Sequence, residues 1–119
     1  MNLYKCSNGT KVSQGTINRK YSTMLREKHG GSTSVVCEGC GSIAMDNSHI
    51  ISRKRCKEIG RTELIWDPNN VVNYCRNCHH NYENYKSGEW KKLRNYIHLV
   101  RYLKDNDFEH LTKRLVENE

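Results

Sequence analysis

Two Cys-x-x-Cys pairs, Cys37-Glu38-Gly39-Cys40 and Cys75-Arg76-Asn77-Cys78, stand with 34 residues between Cys40 and Cys75. Two residues between cysteines let both thiolates of a knuckle reach one ion, and zinc prefers four tetrahedral nitrogen or sulfur ligands. One such pair would serve redox chemistry equally well. Two pairs in a short chain, with no thioredoxin-type βαβ pattern around them, point to a structural Zn2+ site. That site constrains the topology: the knuckles lie side by side, and everything between them is one closed excursion. Four thiolates leave no open coordination position, so this zinc holds the fold and performs no chemistry. Gly39 and Gly41 supply the backbone freedom of a tight knuckle. The two remaining cysteines, Cys6 and Cys56, read as small buried hydrophobes.

The need for such a staple follows from size. A chain of 119 residues that is 35% hydrophobic and has one Phe builds a thin core. Metal binding to a site absent from the unfolded chain adds directly to folding free energy. Twenty Lys+Arg against 13 Asp+Glu give a net charge of +7, which favours a polyanionic partner. No apolar run approaches the ~20 residues of a membrane span. Residues 1–6 lack the apolar core of a secretory signal. An intracellular, cytoplasmic protein with no membrane contact is expected, and there cysteines serve metal rather than disulfides.

Along the chain, Asn8-Gly9 predicts a hairpin turn between residues 4–6 and 10–12. Ser13 is placed to cap a helix running to about residue 29, with Ile17, Tyr21, Met24 and Leu25 on one face. Arg19, Lys20 and Arg26 fall on the opposite face, as a solvated surface or, as the alternative, a DNA contact. Gly30-Gly31 stops this helix, and Ser32-Thr33-Ser34 reads as a linker. After the second knuckle, Ser87-Gly88 predicts the start of a helix over residues 89–104. Its apolar stripe is Trp90, Leu93, Ile97 and Val100, widened by Tyr96, Leu99 and Leu103. A last helix carries Phe108, Leu111, Leu115 and Val116.

Within the excursion, His49 follows Asp46-Asn47-Ser48 at a strand end, Asn70 opens the next strand, and His79 stands just inside a helix. A lone histidine is usually structural; this ordered set around one zinc clamp carries more weight. Residues 37–84 resemble the HNH family, the zinc-knuckle branch of the ββα-metal nucleases. His49-Ile50-Ile51, Asn70-Val71-Val72 and Cys75-Arg76-Asn77-Cys78-His79 match its three segments, with nine residues from Asn70 to His79. The segments Ser48-His49-Ile50-Ile51-Ser52-Arg53 and Trp66-Asp67-Pro68-Asn69-Asn70 are similar to those of small phage-encoded HNH endonucleases.

The resemblance implies an α+β fold: a ββα-metal core with a four-cysteine zinc site, flanked by an N-terminal hairpin-helix and C-terminal helices. It implies a DNA endonuclease, in the cytoplasm of a bacterial host if phage-encoded. In this reading His49 is the general base, a role suited to an imidazole near neutrality. His79 holds a catalytic Mg2+ or Mn2+, and Asn70 braces the loop that aims His49. His80 is a second-choice ligand, since adjacent helix positions diverge by about 100°. The family's Asp before the first His is Ser48 here. Strand alternation puts Asp46 on the same face, so the ligand is Asp46, Ser48, a water or another residue. Arg53, Lys54, Arg55, Lys57 and Arg61 are expected in a loop that clamps the DNA backbone, with Arg53 on the scissile phosphate. The segments are 1–34 as a DNA-recognition arm, 35–86 as the nuclease core and 87–119 as helical packing, within one domain. Cutting both strands with one active site would favour a homodimer. The alternative is a catalytically inactive, zinc-stapled DNA-binding module.

Overall fold

Asn8 and Gly9 close the first hairpin. Gly9 takes φ +89°, its N–H donates to the Cys6 carbonyl at 3.0 Å, and Asn8 Oδ1 accepts from the Thr10 N–H at 3.0 Å. Strands β1 (Leu3–Lys5) and β2 (Lys11–Ser13) pair antiparallel, with Tyr4 opposite Val12. Ser13 Oγ then accepts from the Thr16 N–H at 3.3 Å, capping α1 (Gln14–His29). Ile17 and Met24 are buried along it, with Tyr21 and Leu25 at the margin.

The computed structural model describes residues 2–29, 35–83 and 88–106. The Gly30-Gly31 stop, the linker at 32–34, the cap at Ser87 and the last helix around Phe108, Leu111, Leu115 and Val116 lie outside the described residues. The chain divides into two units, each assembled from separated stretches: Met1–Thr33 with Ile51–Val71, and Ser34–Ile50 with Val72–Glu119.

In the first unit the excursion packs against the hairpin and α1. Thr62 Oγ1 donates to the Lys5 carbonyl at 2.7 Å, and Ser7 donates to the Glu63 carboxylate through its N–H and its hydroxyl. Lys28 Nζ donates to the carbonyls of Pro68 and Val71. Ile17, Met24, Cys56, Leu64, Ile65 and Val71 are buried here. Burial raises the Cys56 thiol to about 12, so it stays neutral, a small hydrophobe as expected. The basic stretch expected as a loop forms a short helix instead, α2 (Arg53–Glu58). Ser52 accepts from the Arg55 N–H at 3.2 Å as its N-cap, and Gly60 at φ +70° ends it. Two 3₁₀ turns follow, Thr62–Trp66 and Pro68–Asn70.

In the second unit β3 (Asp46–His49) pairs with β4 (Val71–Tyr74), whose first residue belongs to the other unit. The Met45 N–H donates to the Tyr74 carbonyl at 3.0 Å, so the start of β3 lies beside the end of β4. All four β4 residues are buried, and the strand runs through Cys75 into α3 (Arg76–Glu83). The architecture is thus mixed α+β, with a hairpin-helix before the cysteine cluster and helices after it.

The helix expected over 89–104 is broken. A 3₁₀ turn, Glu89–Lys92, ends at Leu93, whose backbone is extended at φ −67° and ψ 139°. The α-helix α4 (Tyr96–Asp105) begins afterwards. The break frees the Arg94 N–H to reach the Gly39 carbonyl at 3.0 Å, and it brings Asn95 Oδ1 to the Tyr74 hydroxyl at 2.9 Å. These bonds rotate the apolar stripe. Leu99, Tyr102 and Leu103 are buried, whereas Ile97 is 63% exposed. No described helix is long and apolar enough to cross a membrane.

Candidate functional site

The first knuckle is a backbone turn before it is a metal site. The Cys37 N–H donates to the Ser42 carbonyl at 2.6 Å and the Gly41 N–H to the Cys37 carbonyl at 2.9 Å, with Gly41 at φ +84°. Glu38 ties this turn to β4: its N–H donates to the Asn73 carbonyl at 2.8 Å, and its carboxylate accepts from the Asn73 N–H at 2.6 Å. The second knuckle is the β4–α3 junction. Together they bring the ligand atoms of Cys37, Cys40, Cys75 and Cys78 within 4.8 Å of one another. None of the four is in a disulfide.

That spacing fits zinc. Four sulfurs at about 2.3 Å in a tetrahedron stand about 3.8 Å apart, and Cys40 Sγ lies 3.7 Å from Cys75 Sγ. The hydroxyl of Ser42, with its backbone N–H and the neighbouring Cys37, lowers the Cys40 thiol to about 6. Bonding to the Cys78 N–H lowers Cys75 as well. Burial raises Cys78. Two of the thiols are therefore prepared to ionise and two are enclosed by the core, an arrangement able to hold a metal ion.

Gly39 is required for space rather than for backbone freedom. A Cβ there would stand 2.9 Å from Cys78 Sγ and 3.0 Å from Leu93 Cδ2. Gly39→Ala is expected to cost about 1–3 kcal/mol, the usual range for overpacking. Gly15→Ala, in the open first turn of α1 where the nearest atom is 3.9 Å away, is expected to stabilise by about 0.4–1 kcal/mol. Urea unfolding of the two variants checks this pair of opposite signs. A neutral or stabilising Gly39→Ala would show that the knuckle has room to spare.

A second cluster lies beside the clamp. His79, on the first turns of α3, has Nδ1 3.1 Å from Asp46 Oδ2 on β3 and Nε2 2.9 Å from Glu83 Oε1. Asp46 and His79 are each roughly 30% exposed in their side chains, and Glu83 is open to solvent. The two carboxylates meet opposite edges of the ring. They do not converge: among the described residues, the four cysteines are the one set of three or more Cys, His, Asp or Glu that gathers around a point. Glu83 is absent from the sequence reading, although its i,i+4 spacing from His79 on one helix face was a usable signal. His80 is exposed.

Strand alternation sets Asp46 and Ser48 on one side of β3, and Asn47 and His49 on the other. Ser48 is 3% exposed, and His49 is half-buried at the strand end. In the first unit, Asn70 is fully buried, and its side chain clasps the backbone of Ile51. Its Oδ1 accepts from the Ile51 N–H at 2.7 Å, while Nδ2 donates to the Ile51 carbonyl at 3.1 Å and the Leu64 carbonyl at 2.9 Å. Ile51 is two residues beyond His49 in the chain.

The basic residues of α2 are held individually. Arg53 stacks on Tyr21, its guanidinium carbon 4.5 Å from the ring centroid. Lys57 sits 4.3 Å from the Tyr4 centroid and donates to Gln14 Oε1 at 2.7 Å. Arg55 is 3.7 Å from Glu58. Lys54 is exposed, and Arg61 lies just beyond the helix, half-buried. Compared with protein-family models, curated proteins and solved structures, the chain matches none.

Proposed function

We propose that this chain is a metal-dependent DNA endonuclease of the HNH type, with a structural zinc ion in the four-cysteine clamp. The observation that carries the reading is the 3.1 Å approach of Asp46 Oδ2 to His79 Nδ1, on a strand and a helix that flank the clamp in the order of a ββα-metal site. Two ligands at right angles, each about 2.1 Å from a hard cation, stand about 3.0 Å apart. Asp46 and His79 are therefore close enough that both would hold one such cation. Mg2+ and Mn2+ sites of this kind keep waters and substrate phosphate oxygens in the other positions, so two protein ligands suffice. When bound there, the ion supplies charge stabilisation to the phosphate and to the leaving oxygen.

The remaining roles belong to the chain's own groups. His49 takes the proton of the attacking water as its oxygen bonds to phosphorus, and the bond from phosphorus to the 3′ oxygen breaks. Asn70, as the resemblance has it, braces the loop that aims His49. Arg53, Lys54, Arg55, Lys57 and Arg61 supply the sequence-independent charge that binds the DNA backbone. The stacking of Arg53 on Tyr21 leaves the guanidinium edge free to donate to a phosphate. Glu83 fixes the ring of His79 from outside, the carboxylate–histidine–metal pattern of many sites.

Glu83→Ala is expected to weaken Mn2+ binding about 10- to 100-fold, with His79→Ala abolishing it and the zinc content unchanged in both. Electron paramagnetic resonance of Mn2+ titrations reads this directly. Binding as in the wild type after both Asp46→Ala and His79→Ala would remove the assigned site. The activity itself is tested by incubating supercoiled plasmid with the protein and Mg2+ or Mn2+, which should yield nicked or linear DNA. One observation favours the second reading, a zinc-stapled DNA-binding module: Ser48 stands where the family places its carboxylate. Intact plasmid under every divalent ion, together with a mobility shift, would establish it.

A further inference from the structure

A groove of about 640 Å³ opens in the first unit between α1 and the segment around Trp66 and Pro68. Arg19, Lys20, Met24, Glu27, Trp66 and Pro68 line it, together with Thr23 and Lys28. None of them is among the residues assigned to the catalytic or metal-binding groups or to the basic cluster at 53–61. Its walls are of two kinds. Met24, Pro68 and the half-exposed Trp66 form an apolar side, and Arg19 and Lys20 bring two exposed cations to the same opening. The Lys28 ammonium, bonded to the carbonyls of Pro68 and Val71, secures the Pro68 segment to α1. Arg19 makes no ion pair or hydrogen bond among the described residues. Lys20 Nζ lies 5.5 Å from the Trp66 ring centroid, so the indole face meets a solvated cation rather than packed core.

We propose that this groove binds an unstacked nucleotide of a DNA strand, its base against Trp66 and its phosphate on Arg19 and Lys20. The inference rests on the nucleic-acid part of the reading above and is independent of hydrolysis. An inorganic anion would have no use for the apolar wall, and an apolar ligand would have none for the cations. A nucleotide uses both: aromatic faces stack bases of any sequence, and flanking cations track the backbone. Lys20 yields the ring readily, because a cation–π contact at an exposed site is weak. Glu27, the acidic residue of the lining, stands seven residues from Lys20 along α1. That is about 10 Å of helix, too far to neutralise a phosphate at the Arg19–Lys20 end.

The two tryptophans make the test specific. Trp90 is fully buried in the second unit, so an emission change on binding reports Trp66. The zinc-loaded full chain carrying His49→Ala, without added Mg2+ or Mn2+, is titrated with an eight-residue single-stranded oligothymidylate. Saturable quenching of tryptophan emission is expected. Trp66→Leu should weaken binding of a labelled copy about 5- to 150-fold. Arg19→Gln with Lys20→Gln should flatten the plot of log K against log salt by about 0.7, the slope for the one phosphate that the two cations share on a single strand. All three positions are at least partly exposed, and unchanged melting temperatures confirm that the variants fold. Oligonucleotide binding without quenching, or with the salt slope unchanged in the double variant, overturns the groove alone. No binding by any measure overturns the groove and the nucleic-acid reading together.

Discussion

Cys75→Ser is expected to release the zinc ion and lower stability by several kcal/mol. Apparent binding free energies of structural zinc run to about 10–16 kcal/mol in small zinc modules, and that energy is folding energy when the unfolded chain has no site. A serine hydroxyl does not ionise near neutral pH, so the substitution removes one of four ligands outright. Cys75 isolates this effect because it is only half-buried; serine there leaves no hydroxyl stranded in the core, as it would at Cys37 or Cys78. Acid should have a related effect. The Cys40 thiol is held down to about 6, chiefly by Ser42. A depressed pKa gives a contribution that is present above the unfolded value and lost as pH falls through the folded one. Protons compete with the metal for the thiolates, so zinc affinity should fall as pH is lowered. A chromogenic chelator follows the metal, and calorimetry follows the unfolding. A Cys75→Ser protein that melts like the wild type would mean that the clamp carries no metal.

The clamp was legible because its spacing is a chemical statement: two short loops of thiolates have few other uses in a chain without a redox fold. The first hairpin and α1 were legible for a similar reason, since Asn8-Gly9 and Ser13 are local signals whose partners lie within three or four residues. The failures have the opposite character. The helix expected over 89–104 is interrupted because Arg94 and Asn95 bond to Gly39 and Tyr74, residues more than 20 positions away that periodicity cannot see. Once Leu93 is extended, the stripe that would have buried Ile97 turns outward. α2 was missed on a local signal, for its six residues are dominated by charge and show no apolar period, though Ser52 and Gly60 bracket them. The role of Gly39 was misread: its neighbour across the clamp, Cys78 Sγ, explains the missing side chain better than any turn conformation. The i,i+4 spacing of Glu83 from His79 is legible in the sequence, whereas the contact of its carboxylate with the ring is a fact of the fold.

His49→Ala is expected to reduce plasmid cleavage by about 10²- to 10⁴-fold, the usual contribution of a positioned acid or base. Its value lies in what should stay constant. His49 is half-buried at a strand end and belongs to no metal-ligating cluster among the described residues. Zinc content, melting temperature, Mn2+ affinity and DNA affinity should therefore all match the wild type. Asn70→Ala makes the contrast. It strips the Asn70 partner from the Ile51 N–H in a fully buried setting, while the Ile51 carbonyl keeps Cys56 Sγ and the Leu64 carbonyl keeps the Asp67 N–H. Each polar group left unpaired there costs about 1–3 kcal/mol, so this variant should lose stability along with cleavage. A brace and a base thus leave different signatures: activity lost alone at residue 49, activity and melting temperature lost together at residue 70. Undiminished cleavage by His49→Ala would end its assignment as the base. A large drop in melting temperature in that variant would instead mark His49 as part of the packing at the end of β3.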